Sequence, residues 1–164
     1  EGVSASAASW SLAMIGLFNI FGSLIFGRLG DSLSKKSLLS WLYALRTVVI
    51  SLFLLIPLSD FTAIVFGAAI GFLWLATVPL TSGIVAQVFG TRYLTTLWGI
   101  VFFSHQLGAF LGIWLGGRVY DSTGSYTTIW LAAIALGIIA AVVHLPIREE
   151  PWQPSLLEPP PVKG

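Results

Sequence analysis

Two groups of residues in this chain have types and spacings that could do chemistry. The first centres on His105, which stands between Ser104 and Gln106 in the middle of a long apolar run. An imidazole at such a position exchanges a proton near neutral pH or binds a polar solute. Ionisable groups inside apolar spans are costly and tend to face a cavity or a partner. The alternative is a neutral histidine hydrogen-bonded to the next helix. Asn19 and Thr81, in two other apolar runs, are further polar groups of the same kind. The second group is a pair of hexamers, "GRLGDS" at 27–32 and "GRVYDS" at 117–122, with glycine, arginine and aspartate at equal offsets. They pose three possibilities: a duplicated site, a phosphate loop, or an architecture built twice. The hexamers hold too few glycines for a phosphate cradle and lack its lysine. No HExxH, GxSxG or GxxxxGK[ST] motif occurs, so no enzymatic activity is expected. No second histidine or mid-span carboxylate is expected anywhere in the chain to join His105 in a metal site. With no cysteine in the chain, thiolate ligation is excluded too, and neither metal nor cofactor is expected.

The elements that position these residues follow from composition. Of the 164 residues, 56% are hydrophobic and only 9% charged. A soluble domain carries about a quarter charged residues, so the solvent of this chain is expected to be a lipid bilayer. A net charge of +1 gives no basic face for nucleic acid. The first residue is a glutamate, and nothing there has the layout of a signal peptide. The chain is therefore read as a fragment or a domain of a longer protein.

A membrane helix needs about 20 mostly apolar residues, and five runs qualify: 10–29, 37–58, 62–88, 94–117 and 126–147. Residues 1–9 read as an extracytoplasmic lead-in and 148–164, rich in proline, as a disordered cytoplasmic tail. The expected fold is all-α, a polytopic membrane bundle of five transmembrane helices. Runs apolar for this long exclude a β-barrel, whose strands alternate over about ten residues. Alternate loops place Arg28, Lys35, Lys36, Arg92, Arg148 and Lys163 on one side and only Arg118 on the other. By the positive-inside rule the lysine-rich side and the C-terminus are cytoplasmic, and residue 1 is outside. Trp10, Trp41, Trp98 and Trp130 fall near span ends, as interfacial belts require.

With five spans the two hexamers lie three helices apart and at opposite membrane faces. That is the relation expected of inverted three-helix repeats. "SLSKK" follows the inner copy and "STGSY" the outer one, so the lysines appear only where positive-inside pressure favours them.

"GRLGDSLSKK" (27–36) resembles the signature loop of the major facilitator superfamily, G-x-L-a-D-r-x-G-r-k, through Gly27, Leu29, Asp31, Lys35 and Lys36. Ser34 replaces the second glycine and Ser32 a frequent arginine, which fits the weaker copy between helices eight and nine. The resemblance implies helices eight to twelve of a twelve-helix transporter, with the N-terminal half of the same protein as partner. "GGRVYDSTGSY" (116–126), with Gly117, Arg118, Asp121 and Gly124, resembles the helix eleven to twelve connection of the monocarboxylate-transporter-like branch. The family's loop aspartate steadies the outward-facing state, so the resemblance gives Asp31 a gating role, with Gly27 allowing close helix approach. The alternative for Asp31 is a solvated loop charge, and for Asp121 turn or N-cap chemistry. Many animal members carry an Asp/Arg pair in helix eight. The first run here has neither residue at mid-span.

Helix packing is expected from Gly108, Gly112 and Gly116, which share a face with His105 as a small-xxx-small stripe, and from "GAAIG" (67–71). Asn19 and Ser23 share a face with Gly16 and Gly22. Pro79 cannot donate to the Leu75 carbonyl and should kink the third span. Thr77, Thr81 and Ser82 stand ready to satisfy the groups it frees. Arg46 is expected to snorkel toward the cytoplasmic face or to pair with a carboxylate such as Asp31, and because the ninth helix is peripheral in the family, the resemblance implies a structural role for it. The expected function is secondary transport of a small organic solute, an organic anion such as a carboxylate, in the cell (inner or plasma) membrane. The alternative is a non-transporting membrane scaffold whose helices pack against a partner.

Overall fold

In the computed structural model, residues 2–152 are described. The described residues form six α-helices, α1 (Ala5–Ser32), α2 (Lys35–Leu55), α3 (Asp60–Trp74), α4 (Thr77–Phe89), α5 (Leu94–Thr123) and α6 (Thr127–His144), with a short 3-10 turn at Thr91–Tyr93. No strand occurs among the described residues. Helices α3 and α4 are too short to cross a bilayer singly. Taken together they form one interrupted span, so five stretches are long and apolar enough to cross. The all-α, five-span bundle expected from the sequence is the architecture found.

The helices start where hydroxyl caps allow. Ser4 accepts from the Ala7 N–H, Ser34 from Ser37 and Ser59 from Thr62, the last in a reciprocal capping box. Helix α1 thus begins at Ala5, inside the stretch read as lead-in. Asp60 fixes that end: Oδ1 accepts from the Ser4 N–H at 2.7 Å and Oδ2 from the Ser4 hydroxyl at 2.8 Å. Both hexamers prove helical. "GRLGDS" forms the last turns of α1, and α5 runs through "GRVYDS" to Thr123. The connection after α5 is therefore short, and Gly124 ends the helix in the left-handed region (φ 66°), which its missing Cβ makes inexpensive. Asp121 is a residue of the last turn of α5 and caps nothing.

Close backbone approach, rather than large side chains, joins α1 to α3. A Cβ on Gly71 would lie 2.6 Å from the Ile15 Cα, and one on Gly67 would lie 2.6 Å from the Ser11 carbonyl oxygen. A Cβ on Gly22 would strike the Phe72 carbonyl. The Ser11 hydroxyl adds a bond to the Ala63 carbonyl at 2.8 Å. Small residues with interhelical hydroxyl bonds are the usual means of helix association in lipid. Gly67 and Gly71 thus pack as "GAAIG" suggests. Gly27 does not need its missing side chain in this way: a Cβ there would touch Pro79 at an ordinary 3.7 Å. Helices α2 and α6 pack similarly, with Ser40 donating to the Ala141 carbonyl at 2.7 Å and Gly137 against Thr47.

The core gathers Phe26, Leu38, Leu39, Leu42, Leu73, Ala76 and Leu80, where α1 and α2 meet the α3–α4 break. Helices α5 and α6 lie at the other extreme. Gly116 is the one buried residue of α5, and α6 has none. No side chain or neighbouring backbone lies within 4 Å of a Cβ built on Gly108, Gly112 or Gly116. Gly108 and Gly112 of the expected packing stripe are exposed, and only Gly116 is buried.

Candidate functional site

The geometry of interest begins at the interruption of the third span. Pro79 has no N–H for the Leu75 carbonyl, and that carbonyl accepts instead from Val78 at 3.0 Å. The chain makes a tight turn at Leu75 and Ala76 (φ −82°, ψ −5° and φ −58°, ψ −21°) before α4 resumes. The expected kink is a full break, and residues from other helices close it. The Asn19 side-chain oxygen accepts from the Leu75 N–H at 3.1 Å. Arg46 Nη2 donates to the Leu73 carbonyl at 2.6 Å and the Trp74 carbonyl at 3.0 Å. Thr77 adds its hydroxyl to the Trp74 carbonyl at 3.2 Å, and Ser82 bonds the carbonyls of Val78 and Pro79. Irregular backbone inside a membrane requires such substitutes.

This arrangement corrects one expectation. Arg46 neither snorkels toward a helix end nor pairs with Asp31, because its Nη2 bonds the carbonyls of the break. Asn19 gives one acceptor bond to the same break. The Arg46 guanidinium also lies over the Tyr43 ring at 5.1 Å and the Trp74 ring at 5.6 Å. Tyr43 in turn stacks on His144, with ring centroids 5.1 Å apart and planes 27° apart. His144 Nδ1 meets the Ala140 carbonyl at 2.6 Å, so with that nitrogen protonated it donates within its own helix.

Beside the break lies a cavity of about 460 Å³ lined by α2, the end of α3, α4, α5 and α6. Its polar walls come from Tyr43, Arg46, Thr77, Thr81, His105 and His144, and Trp74, Trp98 and Phe102 supply aromatic faces. A second cavity of about 390 Å³, between α2 and α3, has almost wholly apolar walls. The first holds the charge and the hydrogen-bonding groups, in the proportion usual for small-molecule sites. His105 and Thr81 therefore do come together, and Thr81 makes no hydrogen bond among the described residues. Gln106 and Ser104 do not line the cavity, and the Ser104 hydroxyl bonds back to Ile100 at 3.0 Å. The expectation that no second histidine joins His105 is corrected: His144, near the end of the last span in sequence, reaches the same cavity from α6. Tyr43, Trp74 and His144 join the site without having stood out in the sequence, and Trp98, near a span end, lines the cavity as well. Tyr43, one turn before the in-span Arg46 on α2, carried a sequence signal, whereas Trp74, Trp98 and His144 arrive from other helices.

A second polar cluster joins the ends of α1, α2, α4 and α6. Glu149 Oε1 accepts from the Lys36 N–H at 2.5 Å and the Ser34 hydroxyl at 3.3 Å, and so occupies the N-terminus of α2. Gln87 accepts from Lys35 Nζ at 2.9 Å and donates to the Glu149 carbonyl at 2.9 Å. The Trp152 N–H reaches the Val88 carbonyl at 2.8 Å. The start of the tail is thus a structured clasp on the signature loop, and residues 153–164, Lys163 among them, lie outside the described residues. Asp31 stands exposed on the last turn of α1, with no hydrogen bond or ion pair among the described residues. Leu29 is partly exposed on the same turn, and Arg118 at the other hexamer stacks on Trp114 at 5.0 Å.

Comparison with known proteins gives these features a family. The family model described as Major Facilitator Superfamily matches residues 2–162. An uncharacterized MFS-type transporter, YcxA of Bacillus subtilis (strain 168), is 32% identical over 140 residues, covering 82% of this chain and 34% of the relative. Monocarboxylate transporter 12 of Mus musculus is 27% identical over 165 aligned positions, covering 92% of this chain and 33% of the relative. The Homo sapiens transporter of that name is 29% identical over 133 residues, covering 79% and 26%. The chain spans about a third of the length of the curated relatives it matches first. No solved structure matches it. Five apolar spans, a signature loop and a family match along nearly the whole chain lead to one conclusion: this multi-pass membrane chain belongs to the major facilitator superfamily of transporters and is similar to its monocarboxylate-transporter-like members.

Proposed function

We propose that the chain is helices eight to twelve of a secondary active transporter that moves a small organic anion, such as a carboxylate, by alternating access. On this reading the protein sits in the inner or plasma membrane, with residue 1 outside and the C-terminus cytoplasmic. The N-terminal half of the same transporter completes the path, and Asp31 acts as a gating residue toward that half. The observation that carries the reading is the cavity beside the α3–α4 break, where Arg46, His105 and His144 stand together with hydroxyls inside an apolar bundle. Cationic and proton-exchanging groups at this depth suit an anionic solute. The relatives named monocarboxylate transporter support the carboxylate class. Broken helices beside a binding site recur in transporters.

The test is counterflow of labelled pyruvate in proteoliposomes holding the full-length protein. Transient accumulation of label against preloaded pyruvate is expected, and its absence across a panel of small carboxylates overturns the anion reading. One observation favours a second reading, a scaffold packed against a partner: Gly108 and Gly112 of the small-residue stripe are exposed, with nothing within 4 Å of a Cβ built on either. Counterflow separates the two, because a scaffold gives none.

A further inference from the structure

We infer that the cavity beside the α3–α4 break selects organic anions that carry an aromatic ring, and that Trp98 and Phe102 of α5 bind that ring. The inference deepens the organic-anion reading above and rests on it. The sequence of α5 sets up the surface. Trp98, Val101, Phe102 and His105 stand at i, i+3, i+4 and i+7, so they share one face of the helix, and all four line the cavity. Trp74, at the end of α3, adds a further ring to the walls from another helix.

These rings differ in how far they are already engaged. Tyr43 stacks on His144 and has the Arg46 guanidinium 5.1 Å from its centroid, and the same guanidinium lies 5.6 Å from the Trp74 centroid. Phe102 meets only the His105 ring, tilted by 31° with centroids 6.2 Å apart, and Trp98 pairs with no ring or cation among the described residues. Packing within the bundle does not account for the two side chains either, since Gly116 is the one buried residue of α5. An indole and a phenyl ring left open beside a cavity are surfaces on which another ring stacks or packs edge-on.

The polar groups are distributed to match. Arg46 Nη2 is engaged by the Leu73 and Trp74 carbonyls, the Thr77 hydroxyl by the Trp74 carbonyl and His144 Nδ1 by the Ala140 carbonyl. Thr81 and the ring nitrogens of His105 make no hydrogen bond among the described residues, and they are left for the acid group. His105 lies about 10 Å along α5 from Trp98. A solute that uses both must be polar at one end and flat and apolar at the other. The cavity of about 460 Å³ has room for roughly 15 water-sized groups. Pyruvate leaves most of that space empty, and an acid bearing an aryl group fills it.

The experiment is inhibition of labelled pyruvate uptake, in proteoliposomes holding the full-length protein, by unlabelled pyruvate, phenylpyruvate and cyclohexylpyruvate. The last two are similar in size and differ in aromaticity. An aromatic contact adds roughly twofold to tenfold in affinity beyond the area it buries. Phenylpyruvate should therefore half-inhibit at a concentration about threefold or more below that of cyclohexylpyruvate, and about tenfold or more below that of pyruvate. Trp98→Leu and Phe102→Leu keep an apolar side chain and lose the ring. Each should erase the gap between the two cyclic acids while leaving half-inhibition by pyruvate within about twofold of wild type, and Trp98→Phe should keep the gap. A purely structural role would weaken all three acids together, and that result overturns the inference. Equal inhibition by the two cyclic acids in wild-type protein overturns it without any variant, which decides the matter where a variant does not fold, and pyruvate uptake that still runs leaves the transporter reading standing. Failure of wild-type protein to take up pyruvate overturns the transporter reading instead. Ligand-observed NMR binding of the two cyclic acids to the same protein then decides the inference: a preference for phenylpyruvate supports it, and equal affinities overturn it.

Discussion

Replacing Glu149 by alanine should open the first turn of α2 by an amount that can be worked from the contacts. Its carboxylate accepts from the Lys36 N–H at 2.5 Å and the Ser34 hydroxyl at 3.3 Å. A hydrogen bond to a charged group contributes about 1.5–3 kcal/mol, and an anion at a helix N-terminus about 0.3–1 kcal/mol. Glu149 is partly exposed, so water competes, and the low end, about 1.5 kcal/mol, is the expected loss. That is roughly tenfold in the opening equilibrium. The Ser34 cap and the Gln87 bond to the Glu149 carbonyl survive the substitution, which isolates the carboxylate. Hydrogen exchange resolved over residues 35–38 is the assay. Exchange should quicken about tenfold in Glu149→Ala and about threefold in Glu149→Gln, which keeps an acceptor but loses the charge. Lys36→Ala should change little, because the bond uses the backbone N–H. Equal exchange in Glu149→Ala and wild type, or an equal effect from Lys36→Ala, would refute the reasoning.

Other substitutions test the packing and the site. Gly71→Leu should destabilise the bundle by at least the roughly 1–3 kcal/mol typical of overpacking, since even a Cβ there meets the Ile15 backbone at 2.6 Å. Thermal melting in detergent reads this, and a melting temperature equal to wild type would contradict the α1–α3 contact. Ser40→Ala removes the 2.7 Å bond from α2 to the Ala141 carbonyl and should cost about 1 kcal/mol, seen as a fall of a few degrees in the same melt. His105→Ala should slow uptake of labelled pyruvate by the full-length protein tenfold or more. Uptake at the wild-type rate would remove His105 from the path.

The spans were legible because about 20 apolar residues in a row admit few other readings. Their ends were less so. Polar residues such as Arg28, Asp31, Arg118 and Asp121 look like loops on paper, yet helices α1 and α5 continue through them to Ser32 and Thr123. A helix can extend past the hydrocarbon region without changing fold, so composition marks the membrane boundary and not the helix end. Pro79 announced a disturbance, but the break at Leu75 and Ala76 also depends on Asn19 and Arg46 arriving from other helices. Such contacts are invisible to a periodicity argument. The same holds for His144, which meets the cavity of His105 only through tertiary packing, and for Glu149, which read as tail and acts as a cap. The glycines divide for a related reason. Gly22, Gly67 and Gly71 find a neighbouring backbone within the chain, and the stripe from Gly108 to Gly116 finds none.

The account's central claim is that a small carboxylate crosses through the cavity beside the α3–α4 break. Thr81 lines that cavity, and this chain has no cysteine of its own. The direct measurement is therefore Thr81→Cys in a full-length protein otherwise free of cysteine, labelled by a membrane-impermeant thiol reagent from each side in turn. The account predicts labelling from both sides, and protection from it by pyruvate. A thiol that no impermeant reagent reaches, or whose labelling pyruvate leaves unchanged, would contradict it.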